Sequence, residues 1–107
     1  MTEKDSNIAR LINLRIKLQD PSAEVILFGS HARGQATDES DWDILILIDR
    51  PKKNRATEDK YRDELFLLEL EIGESISTFV YSKTDWETKH FYTPLYQNIK
   101  KEGVTLS

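Results

Sequence analysis

The residues able to do chemistry cluster in one stretch, Phe28-Gly29-Ser30-His31-Ala32-Arg33-Gly34, then Gln35 to Glu39, then Ser40-Asp41-Trp42-Asp43. Asp41 and Asp43 stand two apart at the mouth of the apolar run Ile44 to Ile48. Strand side chains alternate, so both carboxylates point to one face, about 6.5–7 Å apart along the backbone, while Trp42 between them turns to the core. Paired carboxylates so placed can converge on hard divalent cations such as Mg²⁺, which take oxygen ligands and keep positions for water and substrate phosphates. A paired-metal site of this kind lines up an in-line displacement at phosphorus. Gly29-Ser30 supplies the complementary half: the glycine lets the backbone turn tightly and bring N–H groups to an anion, and the serine hydroxyl adds a donor. A helical turn over Ser30 to Gly34 would favour phosphate at its N-terminus. Alone, either half is ordinary turn chemistry; after one strand and before the next, the two face one cleft.

Other residues nearby have plainer readings. Arg33 can hold a phosphate or pair with Asp38, Glu39 or Asp41 to fix the loop, and the second role is favoured. Ser40 is a candidate nucleotide contact and, more simply, a turn or capping residue. His31 lies beside the glycine turn, but one histidine without a second nearby is poor evidence for a ligand or a base, and His90 is poorer. Lys52, Lys53 and Arg55 form a basic loop whose ordinary role is solubility, although it could meet a phosphate-bearing acceptor. Asp49 is excluded from the site, since six residues along an extended strand from Asp43 is roughly 20 Å.

The 107 residues bound what can hold such a cleft: 15 Lys and Arg against 19 Asp and Glu give a net charge of −4, and 38% of residues are hydrophobic and 32% charged. That is the composition of one compact globular domain, residues 1–107, with a real core and a single small site. The absence of cysteine excludes a disulfide framework, a thiol nucleophile and thiolate metal sites. The acidic balance disfavours broad nucleic-acid binding, which needs a basic surface. No apolar run approaches a membrane span and Met1 to Asp5 lacks the features of a signal peptide, so the expected compartment is the cytoplasm.

The positioning elements follow from periodicity and punctuation. A helix is expected from Ser6, as N-cap, to Leu18, with Ile8, Leu11, Ile12, Leu14 and Leu18 on its apolar face, stopped by Asp20-Pro21-Ser22. Val25 to Phe28 reads as a buried strand ending at Gly29, and Asp43 to Asp49 as a central strand covered on both faces. Arg50 to Arg55 is a polar connection; Thr57 then caps a helix through Ile72, with Tyr61, Leu65, Leu68 and Ile72 on one stripe and Gly73 at its end. Ser75 to Tyr81 is a third strand, Thr84 caps a short helix carrying Trp86, and Thr93-Pro94 starts a last helix from Leu95 to Glu102 that Gly103 closes. Trp86, Phe91, Tyr92 and Tyr96 are core or a partner surface. The order gives an α/β (α+β) sandwich around a small mixed sheet flanked by helices.

The pattern Gly29-Ser30-x-Ala-Arg-Gly-(x)5-Ser-Asp-x-Asp resembles the signature of the DNA polymerase beta-type nucleotidyltransferase superfamily, and the short length resembles its minimal, antitoxin-like branch. The motif covers Phe28 to Asp49, and the element order over the rest of the chain agrees. The resemblance implies a palm-like fold, an NTP substrate with Mg²⁺, Gly29 and Ser30 at the phosphates, and Asp41 and Asp43 as metal ligands. It implies transfer of a nucleoside monophosphate to an acceptor, with pyrophosphate leaving. It also implies a third carboxylate on the next strand, where only Glu74 is acidic and stands at or before the strand's start. That carboxylate would help activate the acceptor. So short a domain leaves little chain for an acceptor-binding unit, and the resemblance implies a small helical HEPN-type partner, as antitoxin to toxin, that some members modify with AMP. Homo-oligomerisation stays open. The alternative is a catalytically incomplete antitoxin that acts by covering its partner.

Overall fold

The computed structural model describes residues 1–49 and 54–107. Helix α1 (Glu3–Gln19) starts a turn earlier than Ser6, because the Thr2 hydroxyl accepts from the Asp5 N–H at 3.1 Å and Glu3 and Asp5 place negative charge in the first turn. It buries Ile8, Ala9, Ile12 and Ile16. Leu11, Leu14 and Leu18, expected on that face, stand exposed, because the buried stripe is narrower and runs through Ile16 instead.

Strand β1 (Glu24–Phe28) turns at Gly29 into the single turn α2 (Gly29–Arg33), and β2 (Trp42–Ile48) follows. Helix α3 (Arg55–Ile72) is capped by Asn54, whose side chain accepts from the Thr57 N–H at 2.9 Å, so the expected cap Thr57 is a donor inside the first turn. Tyr61, Leu65 and Leu68 are its buried stripe, and Gly73 ends it. Beyond β3 (Ile76–Ser82), Ser82 rather than Thr84 caps α4 (Lys83–Lys89). Thr93 and Pro94 open α5 (Pro94–Glu102) as expected. A two-residue strand, β4 (Val104–Thr105), was not foreseen. Arg50 to Lys53, most of the expected polar connection, lie outside the described residues.

The sheet order is β3-β2-β1-β4, with β1 antiparallel to both neighbours and β3 parallel to β2 after the α3 crossover. It is mixed, as expected. One face carries Val25, Leu27, Trp42, Ile44, Ile46 and Ile48 against α1 and α3. The other carries Phe28, Leu45 and Leu47 against Trp86 of α4 and Tyr96 and Ile99 of α5. On this second face the row along β2 is Asp43, Leu45, Leu47; the leucines are covered while Asp43 is only half-buried, so the strand's N-terminal end opens to solvent. No helix among the described residues is long and apolar enough to cross a membrane.

Candidate active site

The antiparallel register pairs Phe28 with Asp43, which sets the residue after Phe28 over the Asp43 side chain. That residue is Gly29, at φ +75°. A Cβ built there would fall 2.1 Å from Asp43 Oδ2 and 3.0 Å from its Cγ. Two independent demands therefore fix glycine: a left-handed backbone, and a carboxylate lying against the bare turn. The end of β1 and the start of β2, separate motifs in the sequence, form one corner.

The electrostatics of that corner are those of crowded anions. Burial pushes the Asp43 carboxyl above its ordinary range, the Asp41 charge adds to this, His31 and Arg33 oppose it, and Glu102 raises it further. Asp41 itself is exposed, immediately before β2. Two oxygen-donor side chains that repel one another suit a hard divalent cation, so the residues present fit Mg²⁺. Among the described residues no group of three or more His, Asp or Glu is placed to hold a metal.

The remaining candidates divide. Ser30 follows Gly29 in α2 and is half-buried at the same turn. Ser40 closes the turn before Asp41: its Oγ accepts from the Thr37 N–H at 2.9 Å and its own N–H donates to the Thr37 carbonyl at 3.0 Å. His31 is buried and stacks on Trp42, ring centroids 3.9 Å apart, with Nε2 3.4 Å from the Ser40 carbonyl oxygen, so it supports the turn from behind. His90 ends α4 and packs on Tyr81. Trp86 and Tyr96 are core, whereas Phe91 and Tyr92 are exposed. Arg55 opens α3; Lys52 and Lys53 lie outside the described residues.

Two of the expected residues have partners other than those expected. Glu74 does not join Asp41 and Asp43: its Oε1 accepts from Trp42 Nε1 at 3.1 Å and its Oε2 lies 3.6 Å from Lys4 Nζ, on the α1/α3 face to which Trp42 turns. The β3 residue in register with Asp43 is Ser77, because β3 begins at Ile76, past Glu74. Arg33 pairs with none of Asp38, Glu39 and Asp41; its Nη1 donates to Glu102 at 2.8 Å and its Nε to Gln35 at 3.1 Å. Glu102 had no signal in the sequence. It reaches the site only because Gly103 and β4 fold the end of α5 back against β1.

The profile of the nucleotidyltransferase domain family matches residues 9–104. No curated protein matches the sequence. Among solved structures, a toxin–antitoxin complex with AMP-PNP superposes with TM-score 0.66 at 19% identity, over 94% of this chain and 73% of that one. A mutant MntA–HpeT toxin–antitoxin gives 0.64 at 15% identity, over 92% and 71%. A protein from Sulfolobus solfataricus described as a nucleotidyltransferase gives 0.59 at 21%, over 95% and 78%. At these identities the likeness is one of fold, and the four-stranded mixed sheet flanked by helices is that shared fold. From the middle of α1 to β4 the sequence carries the family pattern, and the chain belongs to the nucleotidyltransferase domain family.

Proposed function

We propose that residues 1–107 act as one minimal nucleotidyltransferase domain that moves a nucleoside monophosphate from an NTP, ATP in our reading, to an acceptor carried by a partner protein. The single observation behind this reading is the contact of Asp43 with Gly29, a bare glycine turn lying against one of the two carboxylates. Asp41 and Asp43 would hold Mg²⁺, which when bound supplies charge neutralisation for the phosphates. The bare backbone at Gly29 lets a phosphate approach closely, and Ser30 offers a hydroxyl donor beside it. The acceptor hydroxyl attacks the α-phosphorus, the bond to the β-phosphate bridging oxygen breaks, pyrophosphate leaves, and the hydroxyl proton passes to solvent or to a base on the acceptor side. On β3 the residue in register with Asp43 is Ser77, not a carboxylate.

The setting we propose is a toxin–antitoxin pair in the cytoplasm, with a small helical HEPN-type protein as partner and acceptor. Toxin–antitoxin complexes of the same fold, one with AMP-PNP, support that choice. The withdrawal of Glu74 to the Trp42 face favours a second reading, an antitoxin that binds nucleotide and partner without transfer. Incubation with α-labelled ATP, Mg²⁺ and the protein encoded alongside separates the two. Label on the partner, lost in Asp43→Asn, is the expected result; nucleotide binding with no label on any partner supports the second reading.

A further inference from the structure

We propose that Arg33 is a phosphate-exchanging residue masked by Glu102: without nucleotide its guanidinium is held by the Glu102 carboxylate, and a bound triphosphate takes Glu102's place. The inference rests on the nucleotide site proposed above and assigns the control of its affinity. Arg33 lies one helical turn after Gly29, on the same side of α2, and its Nη1 is paired with Glu102 at 2.8 Å. His31, the other nitrogen-bearing side chain of α2, is buried against Trp42. Arg33 is therefore the cation of α2 that an incoming polyanion would meet.

Its present partners leave it free to change. Nε is used on Gln35 and Nη1 on Glu102, and the side chain is 44% exposed, so both partners hold it at a solvent-accessible position. A triphosphate offers several anionic oxygens with the geometry for bidentate contact, a stronger match than one carboxylate oxygen. Glu102 is itself an anion acting on Asp43 and would repel the same ligand. The backbone just after Glu102 is packed and paired against its neighbours. A Cβ at Gly103 would lie 2.5 Å from the Ile99 carbonyl oxygen and 2.9 Å from Ile26 Cγ2, and β4 pairs with Ile26 and Leu27 of the strand that delivers Gly29. With the corner pressed onto β1, the exchange is a rotation of side chains.

The test is calorimetric titration with Mg²⁺·AMP-PNP of the full chain, Glu102→Gln, Arg33→Gln and the double variant, each checked for folding by thermal denaturation. Glutamine keeps an acceptor for Arg33 but removes the charge. Glu102→Gln is expected to bind about fivefold tighter and Arg33→Gln about fivefold weaker, with Glu102→Gln changing affinity less than about twofold in the Arg33→Gln background. If Arg33→Gln does not fold, Arg33→Met supplies that background. Unchanged or weaker binding by Glu102→Gln overturns the exchange, as does equal tightening with and without Arg33, which would reduce Glu102 to plain repulsion. Absence of binding by the unaltered chain overturns the proposed nucleotide site itself, and the exchange with it.

Discussion

Trp42 and Asp43 are neighbours on one strand and face opposite layers, with opposite consequences. Trp42 is fully buried, stacked on His31, with its indole N–H donated to Glu74. Asp43 is half-buried against a bare glycine turn, and burial and a like charge disfavour its ionised form. The pleat separates the two by parity: Trp42, Ile44, Ile46 and Ile48 hold the fold, while Asp43 heads a row whose end is open to solvent. Changes on one face should move stability, and changes on the other should move binding.

The largest effect should come from Trp42→Ala. Emptying the fully buried position and stranding the Glu74 carboxylate should lower the unfolding free energy by about 3–5 kcal/mol, read from urea denaturation. Gly29→Ala tests the corner where the faces meet. A side chain at φ +75° costs about 1–2 kcal/mol, and the overlap with Asp43 Oδ2 forces the carboxylate aside, so Mg²⁺·AMP-PNP affinity should fall at least about tenfold. Should Gly29→Ala bind normally, the contact between turn and carboxylate has no role in binding.

Asp43→Asn should do the reverse of Trp42→Ala. Because the folded carboxyl titrates above its ordinary value, the wild-type chain loses stability as pH rises from that value through the folded one. The asparagine variant should therefore be more stable near neutrality, by less than about 1 kcal/mol after solvent screening, and show no advantage near about pH 3. Thermal denaturation at the two pH values checks the sign, and label transfer by the same variant should be abolished. The smallest effect is expected from Glu74→Gln, which keeps an acceptor for the Trp42 indole. Stability should shift by less than about 1 kcal/mol and transfer by less than about twofold. Loss of transfer at unchanged stability would return Glu74 to the site.

The sequence was most legible where local rules act alone. Val25 to Phe28, the apolar run behind Asp43, the Tyr61-Leu65-Leu68 stripe and the Thr93-Pro94 start all stand where periodicity and capping place them. The errors lie where a neighbour outbids a local preference. Ser6 and Thr84 are competent caps, but Thr2 and Ser82 lie upstream and take the first N–H groups. Leu14 and Leu18 satisfy helical spacing, yet only one stripe of α1 meets the sheet, and Ile16 is on it. The site was half visible: the turn and the aspartates are near in sequence, so their meeting followed from two short strands. The fate of Glu74 depended on the parallel register of β3 and on an indole N–H needing an acceptor, and the arrival of Glu102 at Arg33 on a two-residue strand too short to announce itself.

The most direct measurement is a calorimetric titration of AMP-PNP into the intact chain and into the double variant Asp41→Asn/Asp43→Asn, each with and without Mg²⁺. A site formed by the carboxylate pair against the Gly29 turn gives saturable, Mg²⁺-dependent binding by the intact chain, lost in a double variant that is at least as stable. Binding of equal strength by both chains, or no binding by either, would contradict it.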